Sequence, residues 1–487
     1  MKNKQYGFIT GFTNLVAGSL KLSNSTFDNI KVSSESAGSH VAGLITHLNG
    51  NDNNISNCTI SNIDVSATGS RINTASGVIS VGNGSLVFAD NKLSNIKVVG
   101  NPINISAILA TGRIDTIGTN SDSKTTLTDI TLSSDYDTGV NMGAVLGVSY
   151  DTSSKIQNVT ANNVKLSTGS KGTRIGGIVG CAPGVAKNCK ITNSNIESTN
   201  STYDQYTMPI VGGLYGVCSS SANNHSDLTV ENTTIKSNLG YLGGVYGLTQ
   251  ANVTNAVLSK SDVTAGGDSV VVGGIIGHDA SNLIISQSSV INSNITNIGK
   301  NVTEISEKQV TIYPTGGIVG FSRGLVKNCE VVDTTIKTTG TDSYATGGIV
   351  GHGFNTSPTT HTVIQECNVK DSVITGANAL GGIAGAAVPE ITNCTVEGTK
   401  TVNVNEIYTQ APVISDIVTE TINSDSNTED IIVEEVEEKT EEAAAQLQAN
   451  IDALQTAYEE KVAEFEKMKQ VIPRFEEFKN VYLVGME

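Results

Sequence analysis

Residues 316–351 read GGIVGFSRGLVKNCEVVDTTIKTTGTDSYATGGIVG and contain one repeat unit followed by the start of the next. The pentapeptide Gly-Gly-Ile-Val-Gly opens this stretch and returns at 347–351, and a third identical copy lies at 176–180. Self-similarity at a steady period is the sequence signature of a repeat architecture. Less strict copies of the pentapeptide lie at 6–10, 42–46, 76–80, 106–110, 143–147, 212–216, 243–247, 273–277 and 381–385.

The second residue of each copy serves as a marker of the repeat. Successive markers are 30 to 43 residues apart, and this regular spacing predicts stacked structural units along the first 400 residues. The markers are Gly7, Gly43, Gly77, Ala107, Ala144, Gly177, Gly213, Gly244, Gly274, Gly317, Gly348 and Gly382.

Each repeat alternates short apolar stretches with turns rich in Gly, Asn, Ser and Thr, as in Val326 to Val331. This alternation predicts three strands of about five residues in each coil. Such strands cannot bury an apolar face alone, whereas parallel stacking of equivalent strands builds a continuous core. The sequence therefore predicts an all-β fold, a right-handed parallel β-solenoid of about twelve coils.

Two residue types recur at fixed positions of the repeat. The asparagines are expected in buried turns, where their amides would form a ladder that satisfies the polar groups of the bend. The cysteines are expected to stack as small apolar core residues, without disulfide bonds and without the spacing of a zinc site. The asparagines are Asn57, Asn158, Asn188, Asn255, Asn328 and Asn393, and the cysteines are Cys58, Cys189, Cys329, Cys367 and Cys394.

The run from Gly316 through Cys329 to the next Gly-Gly-Ile-Val-Gly resembles the GLUG-motif repeats of bacterial surface proteins. The resemblance covers about residues 5–400 and is sharpest over 176–396. It implies a β-solenoid in large extracellular or cell-wall proteins, often adhesins and sometimes joined to a peptidase. The peptidase sequence HExxH is absent from this chain. The motif is structural, so the resemblance implies a fold rather than an active site.

Four segments are predicted along the chain. The β-solenoid occupies 1–400, a capping segment and acidic linker occupy 401–433, a coiled-coil-type helix occupies 434–472, and a short tail occupies 473–487. Met1 lies six residues before the first marker and leaves no room for a cap. An open end exposes unpaired backbone groups, so we expect that a partner covers this end or that the native chain began earlier.

The helix predicted for 434–472 carries a heptad seam that Pro473 ends. Two interpretations stay open, because the seam could self-associate or could fold back as a cap on the tail or on the solenoid. The seam residues are Leu447, Ile451, Leu454, Tyr458, Phe465, Met468 and Ile472.

The net charge of −17 argues against a nucleic-acid partner, since phosphate binding needs a concentrated basic face. Most of this charge belongs to 401–487, which contains 20 acidic and 6 basic side chains. No apolar run reaches the roughly 18 residues of a membrane span. The first residues lack the apolar stretch of a signal peptide, so the chain is either not exported by that route or a fragment of a longer exported protein.

Catalysis on a solenoid needs carboxylates that converge on one outward groove. The acidic side chains are instead expected at scattered solvent-facing positions, for example Glu231, Asp262, Asp333, Glu366 and Asp371. His278 and His352 should share a column with Phe321 between them, too far apart to share a metal. Without Trp and with few Tyr, the array should be a poor stacking surface for sugars. We therefore predict no enzymatic activity, no cofactor and no metal, and assign no ligand-binding residue.

The favoured function is a non-enzymatic structural or adhesive β-solenoid that presents loops, such as 296–314, to a host, matrix or glycan ligand. Its expected location is extracellular or at the cell surface. A phage or virion fibre or spike is the first alternative, with a virion location, and a polysaccharide-degrading β-helix enzyme is the second.

Overall fold

The computed structural model describes residues 8–404 except 118–122, 203–207, 221–222, 299–312, 341–342, 358–359, 387 and 389. Internal contacts divide the chain into units 1–410 and 411–487. The segments predicted for 434–472 and 473–487, and the part of 401–433 that follows residue 404, lie outside the described residues. Within the described part, no helix is long and apolar enough to cross a membrane.

The described chain forms two parallel β-sheets of 35 and 12 strands and one antiparallel two-stranded hairpin, Asn355–Ser357 with Thr360–His361. We name the smaller one the turn sheet, because each of its strands follows a marker glycine or alanine. Its strands are Thr13–Val16, Ile45–Leu48, Ile79–Gly82, Leu109–Gly112, Leu146–Val148, Val179–Cys181, Tyr215–Cys218, Tyr246–Thr249, Ile276–Asp279, Val319–Ser322, Val350–Gly353 and Ala384–Ala386.

The larger one, the long sheet, contains the strands between one turn-sheet strand and the next. Its strands are Phe8–Thr10, Lys21–Ser23, Thr26–Ser34, His40–Ala42, Asn53–Ser56, Thr59–Ser76, Leu86–Ala89, Lys92–Ser106, Thr116–Ile117, Thr125–Ser134, Asn141–Gly143, Lys155–Thr168, Arg174–Gly176, Val185–Thr192, Asn195–Ser198, Ile210–Gly212, Asn224–Glu231, Thr234–Gly243, Asn252–Ser259, Asp262–Gly273, Ile284–Ser286, Ser289–Ile291, Asn294–Asn297, Thr315–Gly316, Leu325–Lys327, Glu330–Val332, Thr335–Thr338, Tyr344–Gly347, Val363–Gln365, Asn368–Lys370, Val373–Gly376, Asn378–Gly381, Glu390–Thr392, Thr395–Glu397 and Lys400–Asn403.

Each strand pairs in parallel with its equivalent one repeat later. In the turn sheet Val179 pairs with Tyr215, and in the long sheet Ile196 pairs with Ile235. Side chains of one kind therefore lie above each other from coil to coil, which is the defining property of a parallel β-solenoid. The predicted all-β solenoid is confirmed at this level.

The structural register confirms every predicted marker pairing except the first. Phe8 pairs with His40 and Gly11 donates its N–H to the carbonyl of Gly43, so the first marker is Gly11. The prediction of Gly7 was wrong by four residues. The first copy, Thr10 to Asn14, has only one glycine, and the local sequence Gly-Phe-Ile at 7–9 imitated the motif.

Some coils have the predicted three strands, as from Ile79 to Ser106, whereas others have four or five. The coil that starts at Val319 has five short strands, which end at Gly347. Two corners divide it, at residues in the left-handed region: Asn328 has φ 52° and Asp333 has φ 48°. The same pair of corners, five residues apart, recurs in other coils, as at Asn188 and Asn193. Asn and Asp adopt this conformation more readily than other non-glycine residues, so the recurring polar residue is a corner.

The recurring asparagines do form a ladder, but outside the core. Asn188 donates its side-chain N–H to Asn158 Oδ1 at 2.7 Å, and Asn255 donates to Asp227 Oδ1 at 2.9 Å. Of the six predicted asparagines Asn158 is buried, whereas the others are exposed at the corners. The prediction of buried turns was wrong, because a left-handed corner directs its side chain outward while the next residue enters the core.

The residue after each corner supplies a hydrogen bond that the bent backbone lacks. Ser261 Oγ accepts the N–H of Thr233 at 3.1 Å, and Ser293 Oγ accepts that of Ser261 at 3.2 Å. Cysteine takes the same role at the other corner, where Cys367 Sγ accepts the N–H of Cys329 at 3.4 Å. Four of the five predicted core cysteines are buried, Cys394 is half-buried, and all are free thiols. Their expected stacking is confirmed, and they act as hydrogen-bond partners as well as apolar residues.

The glycines of the pentapeptide let two backbones approach at the turn. A Cβ atom on Gly316 would overlap the carbonyl oxygen of Val319 and lie 2.6 Å from the nitrogen of Gly351. A Cβ on Gly320 would lie 2.6 Å from the carbonyl oxygen of Val272 in the preceding coil. Glycine is therefore required here by close approach rather than by an unusual φ. Early coils have Ala42 or Ser76 at the first position.

The core runs along the whole described solenoid as one apolar cluster of Ile, Val, Leu, Ala and Cys. Its largest side chains are Tyr215 and Tyr246, which occupy the fourth position of the pentapeptide and are fully buried. The hydroxyl of Tyr246 lies 2.6 Å from His225 Nδ1, so the polar end of this ring is satisfied inside the core.

We predict that Gly316→Ala destabilises the solenoid by about 1–3 kcal/mol, because the added methyl has backbone on two sides and no flexible side chain to displace. The measurement is urea unfolding, with amide hydrogen exchange to locate the effect near 273–276 and 347–350. Gly18→Ala is the matched control, since nothing lies within 4 Å of a Cβ there. Equal stability of the two variants would contradict the close approach.

Candidate binding surface

A second set of side chains packs outside the main core, on either side of the Gly-Gly turn. These side chains lie three residues before and four residues after each marker, and we name them the lateral seam. In the middle of the solenoid Val148, Cys181 and Val217 form a small apolar cluster on the seam with Ile210 and Leu248 packed against it, and the polar Asn141 and Arg174 also occupy seam positions.

The seam becomes aromatic in the later coils. The rings of His278 and Phe321 are 5.2 Å apart in an edge-to-face contact, and Phe321 stacks on His352 at 5.3 Å. Tyr241 lies 5.0 Å from His278 on the other side of the turn. Tyr344 completes this side at 6.5 Å from His352, next to a bulge at Ala345 with φ 67°. Aromatic side chains from four repeats therefore form one continuous surface strip.

Arg323 and Phe354 border this strip. The guanidinium carbon of Arg323 lies 4.5 Å from the centre of the Phe354 ring, and Phe354 lies 6.2 Å from Phe321. A cation over an aromatic face is held by the ring quadrupole. We name Tyr241, His278, Phe321, Arg323, Tyr344, His352 and Phe354 together the aromatic seam. All are half-buried except Tyr344, which is 41 % exposed.

Several buried nitrogen atoms of the aromatic seam lack a hydrogen-bond partner. They are Nδ1 and Nε2 of His278, Nδ1 of His352 and Nε of Arg323. Burial lowers the pKa of His278 to about 4, with the charge of Arg323 as a second cause, so this imidazole is neutral at pH 7. Burial also lowers the pKa of His352. Each neutral ring has one donor and one acceptor nitrogen.

A buried carboxyl group fixes the loop that presents Arg323. Asp279 accepts the backbone N–H of Arg323 at 2.6 Å and the hydroxyl of Ser322 at 2.8 Å. Burial raises the pKa of Asp279 to about 8, although both hydrogen bonds act against the shift. The carboxyl side chain thus holds the Arg323 loop against the preceding coil.

The first coils carry a smaller aromatic patch on the same seam. His40 and His47 lie 5.0 Å apart, and Phe8 contacts both rings. Burial, with the charge of His47 as a second cause, lowers the pKa of His40 to about 4. Phe8 is 49 % exposed, so this patch also meets solvent.

The acidic residues singled out in the sequence occupy structural positions. Glu231 pairs with Lys190 at 2.8 Å and with Lys260 at 3.7 Å, and the hydrogen bond from Lys190 lowers its pKa. Asp262 accepts a hydrogen bond from Asn294 at 2.8 Å. Corner positions with φ between 48° and 55° are occupied by Asp333, Glu366 and Asp371.

One shallow polar cavity lies along the first corner in the later coils. Two carboxylates, Glu330 and Glu366, line it together with polar side chains that include Gln287 and Asn328. Among the described residues, no group of three or more His, Cys, Asp or Glu side chains is placed to hold a metal ion.

The sequence correctly placed His278, Phe321 and His352 in one column, which the strand register confirms. The expectation of a poor stacking surface for sugars stays a prediction, although at this end the fold gathers scarce aromatic residues in one strip. A search for rings four residues after each marker would have found the column. Tyr344 and Phe354 carry no such signal, because a bulge and a hairpin place them.

These features define a parallel β-solenoid repeat protein. The family described as the GLUG motif matches residues 376–403, a stretch that includes the last Gly-Gly pentapeptide at 381–385 and Cys394. The chain therefore contains a GLUG motif, as the resemblance predicted. No curated protein and no solved structure matches it.

We predict that Asp279→Asn changes the pH dependence of stability. The carboxyl pKa is raised from about 3.9 in the unfolded chain to about 8 in the folded one. The folded state therefore retains a proton that the unfolded state loses, and stability falls as pH rises through this window. As the pH rises, the free energy of unfolding of the native protein should therefore decrease relative to that of the variant by about 1.4 kcal/mol per pH unit.

The measurement is urea unfolding of both proteins between pH 5 and pH 7.5. Subtracting the two curves removes the histidine contributions, which the proteins share. If the difference in unfolding free energy between the two proteins stays constant from pH 5 to pH 7.5, Asp279 is ionised in the folded protein and the prediction is wrong.

Proposed function

We propose that this protein is a non-enzymatic, surface-exposed rod that binds an external ligand through its outward side chains. The observation that carries the proposal is a stack of backbone-paired coils whose side faces present continuous columns of side chains. Such solenoids form extended binding surfaces whose chemistry is set by the outward positions. The location that fits this role is extracellular or at the cell surface.

We further propose a right-handed solenoid of about twelve coils. The twelve strands of the turn sheet support the count, one strand for each coil. The handedness follows the strong general preference of parallel strand crossovers. A stack of twelve coils at about 4.8 Å per coil would be about 58 Å long.

The roles of the acidic side chains support a non-enzymatic protein. Glu231 forms ion pairs, Asp262 belongs to a side-chain ladder, and Asp333 and Asp371 form corners. The polar cavity with Glu330 and Glu366 is the specific observation that favours the alternative of a polysaccharide-degrading enzyme. A glycosidase needs two carboxylates on opposite sides of the scissile bond. The virion alternative depends on the segment 434–472, which lies outside the described residues.

The test is binding of the purified full-length chain to host cells, matrix proteins and immobilised polysaccharides, with an unrelated β-solenoid as control. We expect saturable binding to at least one of these, with no reducing ends released from the polysaccharides. Binding no stronger than that of the control solenoid would contradict the proposal. Release of reducing ends that Glu330→Gln or Glu366→Gln abolishes would replace it with the enzyme alternative.

A further inference from the structure

We propose that the aromatic seam is a binding site for a carbohydrate chain that lies along the solenoid axis. This inference rests on the proposed function and deepens it by naming the site and the ligand class. The site consists of Tyr241, His278, Phe321, Arg323, Tyr344, His352 and Phe354.

The first argument is the local composition. Phe, Tyr and Trp together are 5 % of this chain and Trp is absent, yet four of these side chains lie with two histidines in one strip of a few coils. In the preceding two coils the equivalent positions are occupied by Ile210 and Val217 and by Arg174 and Cys181, with no ring among them. Packing alone is therefore satisfied by side chains without rings at these positions. The rings add faces and edges against which the apolar C–H groups of a sugar can pack.

The second argument is the charge state of the rings. Burial lowers the pKa of His278 to about 4 and also lowers the pKa of His352, so both imidazoles are neutral at pH 7 and pack as uncharged rings beside Phe321. Both nitrogens of His278, Nδ1 of His352 and Nε of Arg323 are buried without a partner, so a ligand on the surface does not reach them. The contact with a sugar is therefore packing against rings.

The third argument is the direction of the strip. Ring positions recur once per coil, and the column from His278 through Phe321 to His352 crosses the strands at about 4.8 Å intervals. The strands beneath it are paired on both sides, so no sheet edge is free there to add a peptide strand. A ligand on this strip must run across the strands, as an extended polysaccharide can.

The charge of the aromatic seam decides whether neutral or acidic sugars can bind there. The guanidinium of the half-buried Arg323 lies over the Phe354 ring, whereas Asp279 is fully buried and its raised pKa leaves it neutral. The seam therefore presents a positive group without a competing carboxylate. It can accept neutral sugars on the rings and an acidic sugar with its carboxylate on Arg323.

The experiment is calorimetric titration of the full-length chain with a neutral hexasaccharide of glucose, a neutral hexasaccharide of N-acetylglucosamine and an acidic hexasaccharide of galacturonic acid. A proline-rich peptide of similar length is the fourth ligand. We expect at least one oligosaccharide to bind, and Tyr344→Ala to raise its Kd about tenfold. Arg323→Ala should weaken the acidic sugar more than the neutral ones.

The matched control is Tyr150→Ala. Tyr150 is 85 % exposed and lies outside the aromatic seam, so its removal should leave every Kd unchanged. Thermal unfolding of each variant separates loss of binding from loss of fold, and both tyrosines are exposed enough for truncation to leave the core intact.

Three outcomes overturn the inference. One is a peptide that binds while no oligosaccharide does. Another is an oligosaccharide whose Kd is the same for the native chain, Tyr344→Ala and Arg323→Ala. The third is no binding of any of the four ligands by a chain that still binds cells or matrix, in which case the proposed function stands and this site does not. Absence of all binding, cells and matrix included, overturns the proposed function as well.

Discussion

The structure depends on parallel backbone pairing between each coil and the next at a turn where no side chain intervenes. The two arms of each Gly-Gly turn approach within backbone contact, and each arm also pairs with its equivalent in the neighbouring coils. Glycine at Gly316 and Gly320 removes the Cβ atoms that would keep these backbones apart. The apolar core follows from this stacking, because like residues then lie above each other and exclude water together.

A coil that bends sharply must satisfy the hydrogen bonds that its corners break. Two means achieve this, one outside and one inside the bend. Outside, asparagine and aspartate in the left-handed region bond to their equivalents in the next coil, as Asn188 does to Asn158. Inside, a hydroxyl or thiol of the next coil accepts the orphaned N–H, as Ser293 does for Ser261 and Cys367 for Cys329. Serine, threonine and cysteine therefore alternate at these positions for one physical reason, the cost of a buried unpaired N–H.

The sequence predicted the stack because the pentapeptide and its spacing report the period directly. It placed the first marker at Gly7 instead of Gly11 because the first copy has a single glycine, and register could be found only from the pairing with Gly43. The corners were interpreted as buried turns because the sequence shows only that asparagine recurs. The direction of the asparagine side chain depends on the sign of φ, which the sequence does not give. The aromatic seam was missed because its members come from different repeats and become neighbours only through register, a bulge at Ala345 and a hairpin before His361.

The most direct test of the stacked architecture is pulsed electron–electron spin resonance between nitroxide labels on one outward column of the long sheet. Lys31, Lys165, Asp262 and Val373 belong to this column through successive register pairs and are exposed. Distances from a label at residue 31 should increase by about 4.8 Å for each coil, to about 19 Å at 165, 34 Å at 262 and 48 Å at 373. Distances that do not grow in proportion to the number of coils would contradict the stacked solenoid.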